Sequence, residues 1–416
     1  MSVNIKNGYW RSIASVFTGS IVAQIIPVLG TLILARICSP SEFGLYASWL
    51  GVVLCISVII TGRFETSLAI EEDGDSRKFS FVATLITSCT VSLFLLILLS
   101  VVAASYPAIS EKIALSLSLC SIPTALTVAV VQTWQSWAAA EGSYRKLSIM
   151  RITNASAIIL SQLTFSFFQF SGAMMLAFGY FSGGLITCAL CAKLMPVGKI
   201  PTEYKKIEAI KAFWYRQRRF PLLSLPADAI NSAATQLPII IVASRFGAEA
   251  TGSLAMTLRI LGAPIGLLGK SVLDVFKRHA ATHYREFGEC RDIYIKNFKI
   301  LLIGSLVFVF VMFFLSETLF VIAFGEQWRF SGTIVIWMLP YFALSFVASP
   351  LSYIVYISNK QYLDLFWQIS LFTMTCISLI VPEQYADALK IYSGGYALLY
   401  VIYIVMSYRF SLGDKK

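Results

Sequence analysis

Long uninterrupted apolar runs constrain this chain more than any other feature. Residues 43–60, FGLYASWLGVVLCISVII, carry no charge. As a helix they are long enough to cross most of the ~30 Å of bilayer hydrocarbon. Similar runs recur, and we read about twelve spans: 12–35, 43–70, 79–105, 113–139, 151–170, 173–192, 221–244, 251–276, 298–322, 331–357, 363–381 and 388–408. In lipid every backbone N–H and C=O must be satisfied within the chain, so a spanning structure is a helix or a closed barrel. Barrel strands read as alternating segments of about ten residues. These runs are longer and do not alternate, which points to an all-α integral membrane protein. Only 13% of the 416 residues are charged, about half the usual share in a soluble domain.

The formal charge of +11 would suggest a nucleic-acid partner in a soluble protein. Its distribution argues otherwise. With the N-terminus inside, 25 of the 33 Lys and Arg fall in segments on the inner side. Arg36, Lys112, Arg245, Arg329 and Lys390 fall outside, and Arg63, Arg259 and Lys270 within spans. Such a bias sets orientation, so both termini are expected in the cytoplasm and no nucleic acid is expected. Residues 12–35 are too long for a signal-peptide core and lack its cleavage pattern, and read as the first transmembrane helix.

The longest polar interruption, residues 193–220, follows six spans and precedes six more. It reads as a cytoplasmic basic linker between an N-terminal six-helix lobe (1–192) and a C-terminal one (221–416). Its basic residues mix with Trp214, Tyr215 and Phe220. That mixture suits an amphipathic segment on anionic lipid; contact with the phosphates of an arriving substrate is the alternative. The lobes echo one another: ARICSPSEFGLYA (35–47) resembles ASRFGAEATGSLA (243–255), and Gly62-Arg63 and Gly269-Lys270 follow at similar distances. Repeats of this kind place a substrate site between the lobes.

Ionisable residues inside spans are costly and mark function. Arg63 and Glu65 lie in TGRFETSLAI (61–70). On a continuous helix they would be about 200° apart, so they are expected on opposite faces. Near the inner edge of the core, Arg63 can also reach the headgroups by snorkelling. Arg259, Lys270 and Asp274 share a face of the eighth span, with Lys270 and Asp274 spaced to pair. In the seventh, Ser224, Asp228, Asn231, Ser232 and Thr235 share a face; in the first, Ser20, Gln24, Pro27 and Thr31 do. Hydrogen bonding between helices accounts for the hydroxyl residues. Arg259 and Lys270 are candidate cavity cations from helix position alone, and Gln24, Glu65, Asp228, Asn231 and Asp274 are candidates for cavity lining or ion coupling. Pro221, Pro226, Pro238 and Pro264 predict bent helices of the kind that line cavities. Cys188 and Cys191 read as packing residues inside a span, and His279 and His283 as a solvated helix end. No metal, cofactor or catalytic constellation is expected.

The first 80 residues resemble the polysaccharide transporter (Wzx-type) family of lipid-linked oligosaccharide flippases, in the multidrug/oligosaccharidyl-lipid/polysaccharide (MOP) exporter superfamily. Ala35-Arg36, the SPSEFGLYA turn (39–47) and Gly62-Arg63-Phe64-Glu65 with Ala69-Ile70 carry the resemblance. It implies two MATE-like six-helix lobes around a cationic cavity, and transfer of undecaprenyl-pyrophosphate-linked sugar units, such as an O-antigen repeat, to the periplasmic leaflet of the inner membrane. It places Arg63, the motif arginine, in that cavity as a substrate-binding residue. The related peptidoglycan-lipid flippases carry two further C-terminal spans, which sets the expected substrate apart from theirs. Membrane lipid is an expected partner, polysaccharide polymerase or glycosyltransferases are candidate ones, and a monomer is expected. Proton or sodium is the candidate coupling ion. The rival readings are a cation-coupled multidrug exporter and a membrane sugar polymerase or transferase. Every outer loop is short and the first carries no pair of acidic residues, so the enzyme reading is disfavoured.

Overall fold

The computed structural model describes residues 2–105, 115–168, 170–198, 207–358 and 360–413. Among them the chain is helical and contains no strand. The main helices are α1 (Ser2–Ile37), α2 (Pro40–Thr61), α3 (Asp75–Ser105), α4 (Leu115–Ala140), α5 (Tyr144–Phe165), α6 (Gly172–Leu194), α7 (Ile207–Arg216), α8 (Leu225–Phe287), α9 (Arg291–Phe324), α10 (Arg329–Leu351), α11 (Ile354–Ile357), α12 (Gln361–Ile380) and α13 (Tyr385–Ser411). Nine stretches among the described residues are long and apolar enough to cross a membrane. Large apolar side chains on α9, including Ile303, Phe310 and Phe314, are exposed. In water such a face invites association; in a bilayer it is the face that lipid covers.

One expected boundary needs correction. The second span does not continue as helix to residue 70. It ends at Thr61, where Gly62 adopts left-handed backbone (φ 57°) and its N–H returns to Ile59 O. Glycine takes that conformation without steric cost, which makes it a common helix stop. The run α8 is two helices that meet at Gly247, whose backbone is not helical (φ 84°, ψ 179°), between the expected seventh and eighth spans.

The chain forms two compact units, residues 1–240 and 241–416. In the first, α5 packs along α6 and α1, and α4 packs against α2, α3 and α6. Small residues permit the closest of these approaches. A Cβ on Gly179 would meet Gln162 Cα at 2.5 Å, and one on Gly183 would meet Ile158 Cα at 2.5 Å. In lipid, where apolar burial offers no drive between helices, such close backbone packing supplies much of the association. Polar bridges add to it. Gln162 Nε2 donates to Tyr46 Oη (3.1 Å) and Leu176 O (3.0 Å), and Arg151 Nη1 donates to Ser20 Oγ (2.6 Å).

A capping box starts α2: Ser39 Oγ accepts from the Glu42 N–H while Glu42 Oε2 accepts from the Ser39 N–H (2.9 Å). Glu42 Oε1 also accepts from Gly172 N at 2.7 Å, at the first residue of α6.

In the second unit α10 packs against α9 and α13, and α12 against α13. Tyrosines fill much of the interior: Tyr341 meets Tyr392, Tyr396 and Tyr400. Their hydroxyls find partners, as buried phenols do. Tyr294 pairs with Ser407 (2.7 Å), Tyr396 with Thr375 (2.6 Å), and Tyr403 donates to Asp364 Oδ1 (2.9 Å).

Candidate functional site

The stop at Gly62 creates the site. Arg63 follows in the same left-handed region (φ 62°, ψ 15°), and no other non-glycine residue among those described has positive φ. That conformation is disfavoured for a residue with a Cβ and persists only where its surroundings hold it. Thr61 Oγ1 accepts from Arg63 N (3.2 Å), and Thr66 Oγ1 donates to Arg63 O (2.6 Å). The chain then continues as a 3-10 turn, Phe64–Ala69.

This turn corrects the expectation that Arg63 and Glu65 lie on opposite faces. The separation of about 200° applies only to unbroken helix. Here Arg63 Nη1 donates to Glu65 Oε1 at 3.0 Å. The Glu65 side chain is 1% exposed, and that of Arg63 21%. Gln132 Nε2 also reaches Glu65 Oε1 at 3.5 Å, while Glu65 Oε2 is buried with no hydrogen-bond partner. A second carboxylate approaches from α8: Asp228 Oδ2, on a side chain 37% exposed, lies 2.7 Å from Arg63 Nε. The Nε–H does not point at it, so the contact is an ion pair without a hydrogen bond.

The segment after the motif is clamped from two directions. Arg77, at the start of α3, donates to Leu68 O (3.0 Å), Glu71 O (2.8 Å) and Ala140 O (3.1 Å), and pairs with Asp73 and Glu141. A guanidinium suits this task because its five donors form a fixed planar fork. From the other side comes α7. Its buried Phe213 packs against Phe64 (5.2 Å between centroids) and Phe79 (6.1 Å). Trp214 Nε1 donates to Thr87 Oγ1 (2.8 Å), and Arg216 Nη2 and Gln217 Nε2 both donate to Glu71 Oε1, at 2.8 and 2.6 Å. This part of the linker therefore packs on the motif, while Tyr215 remains exposed.

The structure thus brings together Arg63, Glu65 and Asp228. Gln24 is half-buried on α1. Asn231 is exposed on α8, with its carbonyl accepting from Thr235 Oγ1 (2.9 Å). Arg259 is half-buried in the second unit. The side chains of Lys270 and Asp274, and with them the expected pair, lie outside the described residues. Sequence reasoning missed Arg77, Glu71 and Gln132. An acidic–basic run at 71–78 was the available signal for the first two; Gln132 gave none.

The arrangement presents a guanidinium on fixed backbone, held by one buried carboxylate and touched by one exposed carboxylate. Arginine binds phosphate through paired hydrogen bonds and stays charged, so the guanidinium suits an anion, while the two carboxylates beside it compete for the same charge.

Comparison with known proteins agrees with the fold. No curated relative matches the chain in sequence. Among solved structures, the lipid II flippase MurJ in an inward closed conformation is similar with a TM-score of 0.72 at 13% identity, covering 94% of this chain and 87% of that one. An inward-facing multidrug resistance MATE family transporter of the MOP superfamily is similar with a TM-score of 0.67 at 12% identity, covering 93% of each chain. A MOP superfamily transporter from Pyrococcus furiosus, whose binding pocket is described as reversed in polarity, gives 0.59 at 13% identity over 97% and 96%. At these identities the likeness concerns the fold. A family described as polysaccharide biosynthesis protein matches residues 33–332. The chain belongs to this polysaccharide biosynthesis family, and its fold is similar to that of transporters of the MOP superfamily.

Proposed function

We propose that the protein carries an oligosaccharide, linked through a diphosphate to undecaprenyl, from the cytoplasmic to the periplasmic leaflet of the bacterial inner membrane by alternating access. The family and fold support the coarser part, a MOP-superfamily flippase or transporter in the membrane. The finer part rests on Arg63, a part-exposed guanidinium fixed by left-handed backbone at the end of a membrane helix. A flippase must draw a diphosphate and a hydrated glycan across oil, and a charged group left unpaired there is strongly disfavoured. A positioned arginine offsets that penalty for the diphosphate, while the prenyl tail stays in lipid. No covalent bond is made or broken. Glu65 and Asp228 are the carboxylates best placed to link the step to a proton or sodium gradient.

Deleting the gene tests this reading. Lipid-linked sugar units should accumulate facing the cytoplasm and surface polysaccharide should disappear, with glycosyltransferase activity in extracts intact. Loss of sugar-unit synthesis in those extracts would instead indicate a sugar-transferring enzyme. Normal polysaccharide with heightened sensitivity to organic cations would indicate a drug exporter.

A further inference from the structure

The two carboxylates on Arg63 differ in every respect that bears on exchange. Glu65 is buried, two residues away in sequence, and shares its bonded oxygen with Gln132. It is a permanent partner. Asp228 is partly exposed and reaches Arg63 from another helix, and the N–H between them is not aligned. It makes no other ion pair among the described residues.

The backbone carrying Asp228 is also irregular. Residues Phe220–Ser224 form a π-turn immediately before α8. Pro221 and Pro226 each lack an N–H, so neither donates to a carbonyl of the preceding turn. Leu222 and Leu223 are exposed.

Charge supplies the reason for exchange. With both carboxylates ionised, one guanidinium faces two negative groups, and the trio repels an incoming anion more than it attracts one. A diphosphate gains Arg63 fully only when one carboxylate leaves. The buried, hydrogen-bonded one is held; the exposed one is free to go.

We propose that Asp228 is an internal occupant of the anion site on Arg63, and that a diphosphate headgroup displaces it and thereby releases residues 220–228 from the motif. This rests on Arg63 being the diphosphate site. Its consequence is that Asp228 reports occupancy: a filled site frees the start of α8, and an empty one ties it down. Asp228 is then a positioning residue, acting on substrate through Arg63.

The test uses purified full-length protein in nanodiscs, with farnesyl diphosphate as the probe. Asp228→Asn should bind it about tenfold more tightly than wild type, because an internal competitor is gone, and Asp228→Glu should stay near wild type. Amide hydrogen exchange across residues 222–228 should rise on adding the probe to wild type. In Asp228→Asn it should already be high and change little. An Arg63→Ala/Glu65→Gln double variant, which leaves no buried unpaired carboxylate, should lose binding. If that double variant binds like wild type, Arg63 is not the diphosphate site and the exchange falls with it. If it loses binding, but Asp228→Asn binds no more tightly or exchange at 222–228 ignores the probe, the displacement is wrong and the site stands.

Discussion

Arg216 holds Glu71 through a 2.8 Å contact across 145 residues of sequence. The pair fixes the end of α7 to the segment that follows the arginine motif, and Gln217 donates to the same oxygen. Glu71 is buried while Arg216 is more than half exposed, so solvent screens the contact and about 1 kcal/mol is its scale. Glu71→Ala should therefore raise the detached population of α7 about fivefold. Trypsin cleavage at Lys211 and Arg216 in solubilised protein would measure it. Phe213→Ala, which empties the packing between Phe64 and Phe79, should accelerate cleavage further. Equal cleavage in wild type and Glu71→Ala would show that the carboxylate does not hold the helix.

Arg63→Ala should lower stability as well as transport. It leaves Glu65, 1% exposed, as a buried carboxylate with no cation. Stranding one partner of a buried pair costs about 3–5 kcal/mol, and the partial exposure of Arg63 places this case near the lower value. Thermal unfolding in detergent should show a clear fall. Adding Glu65→Gln should restore most of the melting temperature and none of the transport. Wild-type stability in Arg63→Ala alone would mean that Glu65 has other support.

Arg77→Lys tests the clamp on the motif. An ammonium keeps the charge but cannot donate at once to Leu68 O, Glu71 O and Ala140 O. Buried carbonyls left unpaired cost about 1–3 kcal/mol each when nothing replaces the donor. We expect a loss of about 2 kcal/mol in stability and faster amide exchange across residues 64–71, with the rest of the first unit unchanged. Exchange rates there equal to wild type would remove Arg77 from the positioning of the site.

Gly183→Leu should abolish folding of the first unit. Its Cβ would fall 2.5 Å from Ile158 Cα and 2.6 Å from Ile158 N, backbone that cannot swing aside. Helices α5 and α6 would have to separate. The expected readout is a loss of monodisperse protein on size-exclusion chromatography, whereas Gly394→Ala, in open space, should behave as wild type.

The membrane class and most helices were legible because apolar length alone dictates a spanning helix. The site was legible in its membership and not in its geometry. Arg63, Glu65 and Asp228 all stood out as ionisable groups within apolar runs. The faces assigned to the first two were wrong because Gly62 was read as part of a helix. A glycine just after a long apolar run is also a helix-stop signal, and a stop at Gly62 removes the 200° separation that holds only on unbroken helix. The docking of Phe213 and Arg216 was hidden for another reason. Amphipathic, basic α7 suits a lipid surface as well as a protein one, and its partners Phe79 and Glu71 lie more than 130 residues away, where no local spacing points to them.

Glu42 carries a mechanical consequence. One carboxylate ties the starts of α2 and α6 together, accepting from Ser39 N in one and Gly172 N in the other. Both helix ends bear positive dipole charge, so a single anion satisfies two termini that would otherwise repel. The ends of α2 and α6 at Glu42 are riveted, while the opposite end of α2 finishes in the Gly62–Arg63 turn and its contact with Asp228. The SPSEFG signature is then a fastener between two helix starts, and the arginine motif lies at the far end of α2 from it.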